Sequence, residues 1–365
     1  MTARASLAAL LLGACVSAPE PSRPASLVLD RQWAALLDGD STRLTATALG
    51  PQGDTLPSPA VTWTSDNPAV AAVDQTGLVR AHAIGAASIT AALDASRVVA
   101  RIVVAPALLV GAGDIASCAW ADDEATATLL DAIPGIVFTA GDNAYSSGTA
   151  DQFANCFGPT WGRHKARTRP SPGNHEYNTP GAAPYYAYFG PLAGDSGVGY
   201  YSYELGTWHI ISLNSNIPMQ AGSPQERWLR ADLAAHPAPC TLAYWHHPRF
   251  SSGEHGNSRA PQPLWQALYD ANADLVINGH DHTYERFAPQ TPAGKRSTRR
   301  GIREFIVGTG GAAFYEFPII RANSEVRNNT THGVIKLTLH PTGYDWEFVP
   351  VAGSTFRDSG SGNCH

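Results

Sequence analysis

The stretch Ile136 to Gly148 reads IVFTAGDNAYSSG: an apolar run, a glycine, and then Asp142, Asn143 and Tyr145 within four positions. A turn would account for the Gly, Asp and Asn by themselves. It would not call for a phenol three residues after a carboxylate at the end of a buried strand. The rest of the chain shows whether other strands end in the same way. After residue 107 apolar runs alternate with helix-like stretches: ALLVGAGD, ATATLLDAI, IVFTAGD, WHIISLNS, PQERWLRADLAAH, TLAYWHHP, PLWQALYDA and ADLVINGHDH. That alternation predicts an α/β domain whose buried strands deliver functional side chains at their C-terminal ends.

Five of these strand ends, or the loops after them, carry side chains of the metal-ligand type. They are Asp114 in GAGD, Asp142 and Tyr145 in GDNAY, Asn174 and His175 in GNHE, His246 in YWHHP, and His280 and His282 in GHDH. A single GNH or GHDH arises easily by chance. Buried carboxylates and imidazoles brought together repel or stay unsatisfied unless a cation neutralises them, so five in order point to metal binding. Asp114, Asp142, Tyr145, Asn174, His246, His280 and His282 are too many donors for one zinc with an open position, and suit two ions sharing a carboxylate.

With 365 residues, two folded units are expected. The 25 Lys+Arg against 31 Asp+Glu give a formal charge of -6, which offers no general attraction for nucleic acid or anionic lipid; no nucleic-acid binding is expected. Met1 to Cys15, MTARASLAALLLGAC, has Arg4 ahead of an apolar run too short to span a bilayer. It reads as an export signal. Its LGAC ending resembles a bacterial lipobox, which would make Cys15 a lipid anchor in the membrane; cleavage to a periplasmic or secreted protein is the alternative. With Cys15 set aside, Cys118, Cys156, Cys240 and Cys364 allow two disulfides in an oxidising compartment. Three pairings are open, with Cys118–Cys156 preferred because the two flank the GDNAY stretch.

Residues 16–26 are rich in Pro, Ser and Ala and read as a linker. From 27 to 106, short alternating runs separated by turn signals give an all-β pattern. VTWTSDNPAVAAVDQTGLVRAHAIGAASITAAL, residues 61–93, resembles the bacterial immunoglobulin-like domain of group 2, with Trp63 at its core position. The resemblance implies a small all-β sandwich that spaces or attaches, with possible cell-wall or surface contact through residues 27–106.

The order and spacing of the strand-end residues over roughly 107–350 resemble the calcineurin-like metallophosphoesterases, and among them the purple acid phosphatases. The resemblance implies a four-layer α/β/β/α metallophosphoesterase domain over 107–350, followed by a tail over 351–365. It implies that Asp114, Asp142, Tyr145 and His282 hold a first metal, and that Asp142 as bridge, Asn174, His246 and His280 hold a second. Most family members have a His or Asp ligand two residues after the first Asp, where this chain has Ala116. Tyr145 can supply the missing donor, and a phenolate favours Fe(III), with Fe(II), Zn or Mn at the second position. By the same resemblance the reaction is hydrolysis of a small phosphorylated substrate by metal-bound hydroxide, with His175 as the catalytic residue that stabilises the phosphoryl group and protonates the leaving group.

His255, in SSGEHGN, is a candidate substrate contact, whereas His247 reads as a strand neighbour pointing away from His246. Arg163 to Arg167 and Lys295 to Arg303 read as solvated basic loops. Gly194-Asp195-Ser196-Gly197 lacks triad partners, and Gly308-Thr309-Gly310-Gly311 lacks the Lys-Ser/Thr of a phosphate loop. The sequence therefore predicts an exported phosphatase acting on phosphomonoesters. The alternatives are a phosphodiesterase or nucleotidase using the same metal site, and a surface adhesion protein with an inert phosphoesterase-like domain.

Overall fold

The computed structural model describes residues 26–57 and 60–365. The export segment, Cys15 and nearly all of the linker lie outside the described residues. The chain divides into two compact units, one built on Ser41–Arg80 and Ala86–Val103 and the other on Val104–His365.

The N-terminal unit is all-β. A four-stranded sheet runs in the order Trp33–Leu37, Ser96–Ala105, Gly85–Leu93, Thr62–Ser65, and a three-stranded sheet in the order Ser41–Arg43, Leu78–Ala81, Ala71–Val73. Alternation sends Ile89, Ala91, Ala100 and Ile102 inward, where they are buried with Trp63 and Val79. Trp63 is also held by its backbone, which exchanges hydrogen bonds of 3.2 and 3.1 Å with the Gln75 side chain.

The C-terminal unit is a mixed α/β fold with two facing sheets. Its strands are β1 (Ala107–Ala112), β2 (Ile136–Ala140), β3 (Thr168–Ser171), β4 (Tyr201–Leu205), β5 (Trp208–Ser212), β6 (Cys240–Tyr244), β7 (Leu275–Asn278), β8 (Tyr284–Phe287), β9 (Arg303–Val307), β10 (Ser324–Asn328), β11 (Gly333–His340), β12 (Gly343–Pro350) and β13 (Ser359–Asn363). One sheet has the order β3-β2-β1-β11-β12-β13, and the other β4-β5-β6-β7-β9-β8-β10. β1, β2 and β3 are parallel, as are β5, β6, β7 and β9. Such strands are covered on both faces, which is why they read as continuous apolar runs.

Between the sheets, Phe138 meets Tyr244 with ring centroids 5.4 Å apart and Phe305 meets Trp346 at 5.7 Å. Helix α1 (Asp122–Ala132) follows β1, and the outer face of the second sheet, through Ala243, Val276 and Ile306, packs on helices α2 (Pro224–Ala235) and α3 (Gln262–Asp270), which contribute Leu229, Leu264, Trp265 and Leu268. Each such buried side chain contributes about 1.5–3 kcal/mol of hydrophobic stabilisation. Helix α2 begins where Ser223 Oγ accepts from the Glu226 N–H at 3.2 Å and Pro224 fits the first turn.

Two disulfides form, Cys118–Cys156 and Cys240–Cys364. The second spans 124 residues, and closing so long a loop is worth about 2–5 kcal/mol of stability. It also explains why residues 351–365, which read as a tail, contain edge strand β13. SGSGN has no strand signal of its own, but its backbone pairs with Gly343–Glu347 and the adjacent Cys364 is tied to the start of β6.

Candidate metal centre

The parallel strands end on one side of the two sheets, and each presents a polar residue two or three positions beyond its last strand residue: Asp114 after β1, Asp142 after β2, Asn174 after β3, His246 after β6 and His280 after β7. Asp114, Asp142 and His280 have φ of 60, 49 and 72°. This left-handed region is costly for a residue with a Cβ, and its use marks sites where the surroundings impose the conformation. The loop of Asn174 lies equally close: a Cβ on Gly173 would sit 2.1 Å from Asp142 Oδ1, so only glycine fits.

His246 donates Nδ1–H to the carbonyl of Ala140 at 2.8 Å, which leaves Nε2 as its free nitrogen. Nε2 faces Asp142 Oδ2 at 3.2 Å, Asn174 Oδ1 at 3.0 Å and His280 Nδ1 at 3.2 Å. His282 likewise donates Nδ1–H to Ala313 O at 2.7 Å, and its Nε2 faces Tyr145 Oη at 3.1 Å and Asp114 Oδ1 at 3.4 Å. The Tyr145 hydroxyl has one proton for three acceptors, Asp114 Oδ1 at 3.0 Å, Asp142 Oδ2 at 3.2 Å and His282 Nε2. Acceptor lone pairs therefore outnumber protons in two adjacent groups, and Asp142 Oδ2 belongs to both.

Buried groups arranged this way have too few protons for their acceptors, and cations satisfy them. The residues fit metal ions on that ground. Asp114, Asp142 and His246 are each buried and can offer atoms within 4.8 Å of one another.

The electrostatics show the same deficit. Burial would raise the Asp142 pKa, but the His246 imidazole and the His175 group hold it well below the carboxylate range. Burial works against a charge on His246, yet Asp142 pushes its pKa up to about 9. Tyr145 is held neutral, far above the usual phenol value, by burial and by the charges of Asp114 and Asp142. A cation among these groups opposes the upward shifts of His246 and Tyr145 and keeps Asp142 ionised.

His175 is more exposed. Its Nδ1 lies 2.7 Å from Ser146 O and its Nε2 3.7 Å from Asp142 Oδ2, and its ring packs on Tyr145 at 4.4 Å. His255 is partly exposed and packs on His280 with centroids 4.0 Å apart and the rings tilted by 34°. His247 follows β6 in an irregular segment and is not a strand neighbour of His246. Its ring lies 4.3 Å from that of His280 and its Nδ1 2.7 Å from Ser215 Oγ, and burial pulls its pKa down to about 3.

The basic loop before GNHE is engaged within the fold. Arg163 pairs with Asp131 and Glu124, and Arg167 donates to the carbonyls of Leu130, Ile133 and Gly135. A second His/carboxylate cluster, His209, Asp232 and His236, holds the buried His209 imidazole between Asp232 and Glu204, each at 2.8 Å.

Three residues at the site went unremarked in the sequence reading. Glu176 is fully buried and accepts backbone N–H groups from Asn143, Ala144 and Gly173, tying the GDNAY loop to the GNHE loop. Asp281 is buried between His280 and His282, and Tyr315 stacks on His282 at 3.9 Å and 11°. A carboxylate beside a ligand-type residue, as in GNHE and GHDH, was the one signal available for the first two.

Residues 109–284 match the calcineurin-like phosphoesterase family, and residues 27–103 the bacterial Ig-like domain (group 2). The chain is therefore an Ig-like domain followed by a calcineurin-like phosphoesterase domain, and within that class it resembles the purple acid phosphatases. It is 34% identical over 120 residues to Purple acid phosphatase 21 of Arabidopsis thaliana, covering 31% of this chain and 26% of that protein. It is 34% identical over 100 residues to Purple acid phosphatase 15 of the same plant, covering 26% and 19%. The chain thus spans about a quarter or less of these relatives' length. The fold is similar to that of purple acid phosphatase PPD1 from yellow lupin (Lupinus luteus) seeds, with a TM-score of 0.60, 16% identity, and coverage of 88% of this chain and 67% of that one.

Proposed function

We propose that the protein is an exported phosphatase with a dinuclear metal centre, anchored to a membrane through Cys15, that hydrolyses small phosphomonoesters. The observation that carries this reading is the single oxygen, Asp142 Oδ2, shared by two groups of metal-ligand-type atoms that hold more lone pairs than protons. Asp114, Asp142, Tyr145 and His282 would hold one ion, Fe(III) at the phenol, and Asp142, Asn174, His246 and His280 the other, Fe(II), Zn or Mn. When bound, two cations supply Lewis acidity that lowers the pKa of water and neutralises charge on phosphate oxygens.

The protein's own residues orient and move protons around that centre. The Ala140 and Ala313 carbonyls fix the tautomers of His246 and His282, so each presents Nε2. His175, held by Ser146 O at Nδ1, presents Nε2, which in the imidazolium form can donate its proton to the leaving oxygen and so return to the neutral ring. The Glu176 carboxylate keeps the two loops that carry Asp142 and Asn174 in register. The Ig-like domain serves as a spacer.

Asn174→Ala and His280→Ala test the second position. Each is expected to lower hydrolysis of an aryl phosphate by at least about 100-fold while the circular-dichroism spectrum stays unchanged. Full activity in either variant contradicts the assignment.

A further inference from the structure

The geometry points to Asp281 as a positioning residue that holds the His255 ring beside the phosphoryl site. The inference rests on the phosphatase reading above. Asp281 is fully buried. Its Oδ1 accepts the His255 backbone N–H at 3.0 Å and lies 2.9 Å from His255 Nδ1, and its Oδ2 accepts from Ser251 Oγ. The segment SSGEHGN is wrapped on this carboxylate: a Cβ on Gly253 would sit 2.4 Å from Asp281 Cγ, so glycine is required where the loop crosses it. Ser251, Gly253 and His255 thus converge on one buried side chain of GHDH.

The consequence is directional. With Nδ1–H committed to Asp281, Nε2 is the nitrogen His255 has left, on a ring fixed against His280 at 4.0 Å and bordered by Tyr315 at 5.3 Å. The His255 side chain remains 43% exposed, so the ring is accessible to a ligand rather than packed into the core. A hydrogen-bonding atom held beside a candidate metal ligand is placed to contact the phosphoryl or leaving-group oxygen of a phosphoester. Asp281 has no such access itself and acts through His255.

The test is a double-mutant cycle on the full, metal-loaded chain with His255→Ala, Asp281→Asn and the pair. It reads kcat and KM for an aryl phosphate, the dissociation constant of inorganic phosphate, and metal content. His255→Ala keeps the backbone bond to Asp281, so it removes the ring without releasing the loop.

Each single variant is expected to lower kcat/KM by about 10-fold, the double variant no further than His255→Ala, and metal content to be unchanged. An Asp281→Asn loss that persists undiminished in the His255→Ala background, or no loss at all, overturns the proposal. So does metal loss that accounts for the whole effect. Where Asp281→Asn fails to fold, Ser251→Ala replaces it, with a smaller loss that must also vanish without His255. Independently of activity, ¹⁵N NMR of the wild-type chain is expected to show His255 protonated at Nδ1, and a ring protonated only at Nε2 overturns the inference. A wild-type chain that neither hydrolyses aryl phosphates nor binds phosphate would sink the functional reading instead, leaving the tautomer to decide the Asp281–His255 link.

Discussion

Asp142→Ala is expected to abolish measurable turnover, a loss of at least about 10³-fold, and to empty both metal positions together. The reason is that Asp142 Oδ2 lies 3.2 Å from Tyr145 Oη on one side and 3.2 Å from His246 Nε2 on the other. Removing any other donor leaves one group of ligands intact. Removing this one opens both, and 10³-fold corresponds to about 4 kcal/mol of transition-state stabilisation. Elemental analysis of the purified variant beside its hydrolysis rate checks the expectation. One ion retained with full stoichiometry would mean that Asp142 serves a single position.

Tyr145→Phe has the second-largest expected effect, and it is visible. In the folded chain the phenol is buried against two carboxylates, which hold it neutral, so it can become a phenolate only with a cation beside it. With Fe(III) at this position, as proposed, the phenolate would give the wild-type protein a charge-transfer colour, and phenylalanine, lacking the oxygen, would bleach it. Turnover is expected to fall by at least the roughly 10–100-fold that loss of a partner behind a metal ligand costs. A visible spectrum of both proteins at equal concentration decides: colour retained in Tyr145→Phe would assign the band to another group.

The alternation of buried runs with helices made the phosphoesterase domain's layers legible, because parallel strands covered on both faces lose the polar alternation of exposed sheets. Strand-end residues were legible for a related reason. A carboxylate or imidazole directly after a run such as IVFTA or DLVIN has no reason to be there unless the strand's end is a site. The supporting groups were not legible. Glu176 and Asp281 act by accepting N–H groups from segments distant in sequence, Asn143 from 33 positions away and His255 from 26, and no local pattern encodes such a pairing. His247 was misread because the strand stops at Tyr244, before the two histidines, so side-chain alternation does not apply to them. Strand β13 was hidden because its pairing comes from the ladder with β12 and from Cys240–Cys364, neither of which SGSGN announces.

The most direct test of the account is the metal content of the purified full-length chain, measured together with hydrolysis of an aryl phosphate before and after chelation. Two donor groups sharing Asp142 Oδ2 lead to two ions per chain, activity lost with a chelator and activity restored by adding metal back. A chain that hydrolyses the ester at full rate without bound metal, or that holds a single ion at full activity, would contradict it.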